Sequence, residues 1–518
     1  MRYKPTFRRL LSLVGIVAVF ALLAASCGDD DDGEAAPATT AAPAEPEAPA
    51  EPEAEPEAEP EEMEEMEEME EMEEMDDHAL VHLGILGECE GAFGAFHEDV
   101  VAGASLPFIT FAGGTSNSPT SALEGFSGAV VAGVPIEVVG IGCGDDTPDR
   151  IIQEVRKIVE QDGANVVIGP LSGDESIAIA NYAKDHPDVT FLNGIAGAQE
   201  TTMVVQAPNF FRFNGDGAQW NAGLGDILHN EAGWDTAAVI ADDYSFGWTS
   251  TAGFIAEFCA VGGEVISRVF PPLGTTDYSS FVQQLPDPDE VDGYFWAVGG
   301  SGTNASLEAF LAAKGDLTGD QHAGNLFFSP ALAAALGTDI AGAYVGGFAT
   351  LPGDVSTPAI QEYLASAEAA WDSLVSPMSG MEPGSPAAAA GFGFFYGFYS
   401  SALAFIMALE QVGGDLSDNH AALRDALANI EIDGPYGTIT LDENRQAIVD
   451  TSVQQLVLND ADEVVSQTVA LIPAVDQSFG GTFSPQTPPP DRENPVCETR
   501  DLPWAGNAIP VVDGVPQS

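Results

Sequence analysis

Positive charge is what this 518-residue chain has least of. Lysine and arginine together number 15 against 81 aspartates and glutamates, a formal net charge of −66. Only four lysines occur: Lys4, Lys157, Lys184 and Lys314. With no basic patch to release counterions and with phosphates repelled, a nucleic-acid partner is excluded. Catalytic signatures are missing too. There is no Gly-x-Ser-x-Gly elbow, no Walker loop, no His-Glu-x-x-His and no Cys-x-x-Cys, and the seven histidines (78, 82, 97, 186, 229, 322, 420) are scattered. The chain therefore does not read as an enzyme, and no cofactor or metal is expected. Gly140-Ile141-Gly142-Cys143-Gly144 imitates half a dinucleotide fingerprint. It lacks the third glycine in step, and Asp145-Asp146 would repel a pyrophosphate. The run Asp287 to Gly293 hints at a calcium loop but has no closing glutamate. So acidic a surface stays soluble by self-repulsion that salt must screen. Saline surroundings and a lineage that favours acidic surfaces both fit.

What positive charge there is clusters at the start. Arg2, Lys4, Arg8 and Arg9 precede an apolar run over 10–25, which ends in Leu23-Ala24-Ala25-Ser26-Cys27. This pattern is an export signal rather than a permanent span. Its end resembles a bacterial lipobox, which makes Cys27 the lipidated new N-terminus. The usual leucine three places before the cysteine is Ala24 here, and Arg8-Arg9 also fits a twin-arginine signal. No second hydrophobic span of membrane length is read further on, so a soluble protein on a lipid tether is expected at the outer face of the cell membrane. Residues 28–78 are an acidic linker, kept extended by proline and self-repulsion. Its methionines 63, 66, 69, 72 and 75 could hold Cu(I), with a plain spacer as the simpler reading.

From Ala79 the composition becomes globular. Strand-like runs at 80–86, 136–141, 164–168 and 189–192 alternate with helical patterns, among them Ile151, Ile152, Val155, Ile158 and Val159 at helical spacing. The alternation restarts with strands at 236–240, 265–269, 293–298, 325–328 and 343–348. A long helical segment (387–412) and a β-rich end (436–458) follow. Such βαβα order predicts parallel sheets covered on both faces. The fold class is α/β, with two doubly wound lobes joined by a three-segment hinge. The boundaries expected are 79–213 for the first lobe, 214–350 for the second, 351–453 back in the first, 454–475 returning to the second, and an irregular tail over 476–518. Four cysteines remain after Cys27 in an oxidising compartment, which predicts the disulfides Cys89–Cys143 and Cys259–Cys497.

Several segments occur in one order: Gly91-Ala92-Phe93-Gly94-Ala95-Phe96; Asp145-Asp146-Thr147 leading to Val167-Ile168-Gly169-Pro170-Leu171-Ser172-Gly173; Phe211-Arg212-Phe213 with Asp216 and Gln219; Asp242-Asp243-Tyr244-Ser245-Phe246-Gly247; Thr276-Asp277-Tyr278; and Gly434-Pro435-Tyr436-Gly437 with Leu441-Asp442. In this order the chain resembles the type I periplasmic binding proteins of the leucine/isoleucine/valine-binding kind, over most of 80–470. The resemblance implies two lobes that close on a small ligand, with crossings near 212–217, 350–354 and 452–456. It implies an ABC transporter permease as partner, a monomer, and a ligand lying at the strand C-terminal ends. A ligand-sensing receptor subunit with the same fold is the alternative, and genomic neighbours would separate the two.

By the resemblance, the ligand is held by Ser172, Gly173 and Asp174, by Ile195, Ala196 and Gly197, by Tyr244 and Phe246, by Ser301 and Ala331, and by the aromatic walls Phe96, Phe246 and Phe394. The loop at Ser172 also reads as a plain helix cap, since a helix start needs its N–H groups satisfied whatever binds there. Loop 195–198 also reads as a turn of small residues, with Gly197 standing where a hydroxyl is expected. Most of the aromatics in 392–399 also suit a core. An acid that would meet a ligand ammonium is replaced by Ala331, so Asp174, Glu175, Glu200 or Asp243 must substitute or the ligand lacks that group. The ligand ranked first is an amino-acid-like or amide compound, followed by a neutral or carboxylate-bearing apolar metabolite.

Overall fold

The computed structural model describes residues 80–315, 318–325, 336–347, 357–512 and 514–517. The signal segment with Cys27, the acidic linker, Ala331 and the expected crossing at 350–354 lie outside the described residues.

The first sheet has six strands: β1 (Val81–Glu88), β2 (Val130–Val131), β3 (Val134–Gly144), β4 (Val166–Ile168), β5 (Thr190–Leu192) and β6 (Phe210–Phe211), in the order β2-β3-β1-β4-β5-β6. All pairs are parallel except β2–β3. Alternation across β4 divides the core: Val166 and Ile168 face one layer and Val167 the other. Helix α1 (His97–Phe111) covers one face. Helices α2 (Pro148–Arg156) and α3 (Gly173–Ala183) cover the other, through Ile151, Val155, Ile179 and Ala183. Thr147 caps α2 by accepting from Arg150 N–H, and Pro148 sits in its first turn.

The second sheet repeats the plan. It contains β7 (Thr236–Ala241), β8 (Glu264–Val269), β9 (Gly293–Ala297), β10 (His322–Gly324) and β11 (Tyr344–Gly347), in the order β8-β7-β9-β10-β11. Ala237, Val239 and Ala241 pack on α4 (Leu224–Asn230) and α5 (Ser245–Ala260). Ala238 and Ile240 face α6 (Ser279–Val282) and α7 (Gly302–Lys314). Strand β10 at His322–Gly324 pairs parallel with β9, and of the strand expected at 325–328 all but Asn325 lies outside the described residues. The sheet is not wholly parallel as expected. It continues beyond β11 through antiparallel strands.

After α8 (Pro358–Ala370) the chain is back against the first lobe, where α9 (Pro386–Ala390) and α10 (Gly393–Gln411) pack on α1. The single helix expected over 387–412 is broken between α9 and α10. Helix α10 is long and apolar enough to cross a membrane by composition, yet it is a core helix that buries Phe394, Phe395, Phe398 and Phe405. Each such ring contributes roughly 1.5–3 kcal/mol. The hairpin β12 (Ile432–Gly434) and β13 (Gly437–Leu441) leads into β14 (Ala447–Leu458) and β15 (Val464–Val475). Strand β14 pairs with β13 at Ala447–Ile448 and with β11 over Ser452–Gln455, so the boundary expected at 453/454 falls inside one continuous strand.

The expected irregular tail is a structural part of the second lobe. Phe479, Phe483, Leu502 and Trp504 enter the core around α5. Trp504 Nε1 donates to Glu257, a disulfide joins Cys497 to Cys259 of α5 with Cα atoms 5.3 Å apart, and β16 (Ile509–Val512) pairs with β15. Proline-rich composition hid this because the tail packs through a few large side chains rather than through a repeating pattern.

Candidate functional site

In the first sheet β1 lies between β3 and β4, in the second β7 lies between β8 and β9, and from these central strands the chain leaves toward opposite edges. Loops at the carboxyl ends of such strands diverge and leave a crevice. In the first lobe the crevice is bounded by 89–96 after β1 and 169–172 after β4. In the second it is bounded by 242–244 after β7 and 298–301 after β9. The two crevices face each other and the lobes touch. Ser301 N–H donates to Ala92 O (3.0 Å), Ser245 N–H to Asp174 Oδ1 (3.2 Å), Gly217 N–H to Gly197 O (2.9 Å) and Gln199 N–H to Thr249 Oγ1 (3.2 Å).

Aromatic rings from both sides line this junction. Phe96 meets Phe394 with ring centroids 4.8 Å apart and stacks on Phe392 at 5.6 Å. Phe394 reaches Phe93 (6.0 Å), Phe93 reaches Tyr244 of the opposite lobe (6.4 Å), and Tyr244 reaches Phe246 (6.1 Å), which lies 5.3 Å from Trp220. The structure thus brings Phe96, Tyr244, Phe246 and Phe394 together. Phe392 and Trp220 join them. Trp220 sits between the hinge segment and α4, in a stretch with no periodic pattern to single it out. Trp296, on a strand end, goes elsewhere: it packs on Phe310 and bonds His322 inside the second lobe.

The rest of the junction is acidic. Glu88 is fully buried and accepts the N–H groups of Leu171 and Ser172 (3.1 and 2.5 Å). Beside it lies Glu175, whose carboxylate receives Asp145 N–H (3.1 Å). Burial, and for Glu175 also the charge of Glu88, holds this pair above the usual carboxylate range. Burial and then Glu88 push Asp146 up to about 7. Burial, with Asp146 opposite, pushes Asp242 to about 8. Cys143, joined to Cys89 with Cα atoms 5.1 Å apart, ties the ends of β3 and β1 beneath these loops.

A periplasmic binding protein family model matches residues 81–462, more than half of the chain. The chain belongs to the periplasmic binding protein family. Solved structures share the fold. A solute-binding protein of an R. palustris ABC transporter, in complex with benzoate, is 19% identical with a TM-score of 0.61, covering 75% of this chain and 96% of that one. An ABC transporter substrate-binding protein from Sphaerobacter thermophilus is 21% identical (TM-score 0.60; 77% and 99%). A leucine-binding protein from Thermotoga maritima is 18% identical (TM-score 0.56; 76% and 99%). No curated protein matches. This periplasmic binding protein shares the type I fold of those solved structures, and its family acts outside the cytoplasm.

Several site residues take unexpected parts in this binding protein. Ser172 occupies the N-cap position of α3 without making a cap bond, and its buried hydroxyl has no partner among the described residues. The amides of Leu171 and Ser172 are occupied by Glu88, so this loop offers an anion fewer donors than expected. Gly173 backs onto Ser245, where an added Cβ would lie 2.5 Å from Oγ. Ile195 and Ala196 are buried backbone spacers. Gly197 is required sterically, since a Cβ there would stand 2.8 Å from the ring of Phe246. Ser301 is exposed and takes part through its N–H. Of the proposed substitute acids, Glu175 lies beside Glu88, Asp243 pairs with Arg492 of the tail, Asp174 holds Ser245, and Glu200 is half-buried.

Behind loop 195–199 lies Arg212, fully buried. Its guanidinium donates to Ala196 O (3.2 Å), Ala198 O (2.6 Å), Thr202 Oγ1 (2.9 Å) and Gln446 Oε1, with Asp216 at 3.9 Å. Gln446 also bonds Asn214 O and Gln219, Gln219 bonds Ala447 O and Val475 O, and Gln477 bonds Gln199 O and Asp216. The described interlobe segments are therefore knotted to the loop that faces the cleft.

Proposed function

We propose that this protein captures an amino-acid-like or amide molecule with an apolar body between its lobes, closes on it about the hinge, and delivers it to a permease. The observation that carries this reading is the aromatic wall, because Phe93, Phe96 and Phe394 of one lobe meet Tyr244 and Phe246 of the other. A flat apolar body bridging the rings stabilises the closed form, and the polar loops around it fix orientation. The two named ligand chemistries of the similar proteins, leucine-binding and benzoate-bound, both have apolar bodies. The acidic surroundings of the wall favour a ligand with an amine or amide over a bare carboxylate.

Thermal-shift screening against amino acids, amides, urea, short peptides and aromatic acids tests the ligand class. A ligand at one hundred times its Kd adds about 2.7 kcal/mol of stability. The expected hits are apolar amino acids or amides, with a smaller radius of gyration in X-ray scattering on saturation. Stabilisation by benzoate-like acids alone, or saturation without compaction, contradicts the proposal.

The lipid anchor at Cys27 belongs to the same proposal and rests on the lipobox-like Leu23-Ala24-Ala25-Ser26-Cys27. Cys27→Ala should release the protein into the medium or leave it unprocessed. Unchanged membrane retention of that variant removes the anchor.

A further inference from the structure

We propose that Asp146 and Asp242, one from each lobe, form a cation-binding pole of the cleft that grips the ligand's ammonium group from both sides. The inference rests on the ligand class proposed above and names the residues that select it.

Each carboxylate is at least nine-tenths buried, and each uses one oxygen to hold a cleft loop. Asp146 Oδ2 accepts from Ala92 N–H (2.5 Å) and Phe93 N–H (3.4 Å), and Asp242 Oδ2 accepts from Gly299 N–H (2.8 Å). The two loops so held are themselves joined, since Ser301 N–H donates to Ala92 O. A short chain of hydrogen bonds therefore links the two acids across the interlobe junction. The other oxygen of each, Oδ1, is buried without a partner among the described residues. So is the hydroxyl of Tyr278, 1% exposed, which abuts the same turn: a Cβ on Gly302 would lie against it. The hydroxyl of Ser245, beside Tyr244, is in the same condition. Asp242 Oδ1 and the Tyr278 hydroxyl, both buried without a partner among the described residues, thus lie at the turn that Asp242 holds, while Ser245 Oγ faces Gly173.

A buried carboxylate oxygen without a donor costs several kcal/mol, and two facing carboxylates repel. Among the described residues no base relieves them. Asp146 feels the charges of Glu88 and Asp145, Asp242 feels that of Asp146, and Tyr244 feels Asp242, Asp146, Asp174 and Glu88. An ammonium supplies three donors and one positive charge, which is what this arrangement lacks. The rings of Phe93 and Tyr244, 6.4 Å apart, would add cation–π attraction. Asp146 also sits at φ +69°, a left-handed conformation uncommon outside glycine and of the kind that collects at ligand sites. The acids offered by the sequence as substitutes already have other tasks or lie at the rim. Asp146 and Asp242 come from opposite lobes, Asp146 raises Asp242 electrostatically, and each keeps one oxygen without a partner among the described residues.

Calorimetry with phenylalanine, 2-phenylethylamine and 3-phenylpropanoate tests the pole. The second probe lacks the carboxylate and the third lacks the ammonium. The expected result is that removing the ammonium weakens binding at least hundredfold and removing the carboxylate weakens it less. Asp146→Asn and Asp242→Asn should each weaken phenylethylamine at least tenfold, while the melting temperature of each ligand-free variant stays level or rises. A merely structural role would lower it. Binding of 3-phenylpropanoate as tight as that of phenylalanine overturns the pole but leaves a solute-binding cleft. Wild-type affinity in both variants overturns it as well. Binding by none of the three overturns the pole together with the reading of the aromatic wall. The wild-type comparison stands alone if either variant fails to fold.

Discussion

The protein should melt at a higher temperature at pH 5.5 than at pH 8, by roughly 5 °C or more. The cause is a set of acids that the fold buries without bases. Burial pushes Asp99 and Glu257 to about 8, as it does Asp242, and pushes Asp146 to about 7. A carboxyl whose folded pKa is raised binds more protons in the folded state than in the unfolded one. Its penalty is absent below about pH 4, grows as pH rises toward the folded value, and is complete above it. Each such group lowers stability by up to about 1.4 kcal/mol per pH unit within that window. The net charge of −66 acts in the same direction, because protonation relieves self-repulsion. Groups of the opposite sense exist. Asp277 and Asp415 are held low by Ser279 and Ser417 at the exposed surface, and they favour the fold only above the ordinary carboxylate range. Calorimetry over pH 5 to 9 checks the profile. A melting temperature at pH 8 equal to or above that at pH 5.5 would mean that the buried carboxyls are relieved by something not seen in the fold.

Replacing Arg212 by methionine should cost on the order of 3–5 kcal/mol in urea unfolding. The guanidinium is the one cation among Asp216, Gln446, Thr202 and two carbonyls, all buried. Methionine fills much of the volume but leaves those acceptors unpaired. Arg212→Lys should recover only part of the loss, because an ammonium cannot span acceptors spread over loop 196–202 and Gln446, just before strand β14. Loop 195–199 would lose its backing, so ligand affinity should fall along with stability. A loss under about 1 kcal/mol would show that the knot is not what holds the interlobe segments.

Much of this was legible in the chain. Period-two and helical patterns placed β1, β3, β4, β7 and β9, because a strand buried on both faces and a helix on one leave regular traces. The ordered motifs fall at strand ends, several of them at the junction of the lobes. Legibility failed where packing is not periodic. Nothing in 476–518 announced that Phe479 and Trp504 complete the second core, and β14 gave no sign that it serves both lobes.

What the sequence determined by itself is the architecture and the chemistry at hand: two α/β lobes, strand-end loops rich in aromatics and acids, and cysteines in bondable number. Those follow from local pattern and composition. Only the tertiary structure decided how the acids divide their work. Glu88, Asp146, Glu175 and Asp242 lie within a few residues of similar loops and look alike along the chain. One fills the amides of Leu171 and Ser172, one lies beside it, and two hold loops of opposite lobes, Asp146 at Ala92 and Asp242 at Gly299. A carboxylate's role is set by which N–H groups and charges surround it in space, and those neighbours come from segments more than 50 residues away in every case but Glu175's, where they come from 30 residues away.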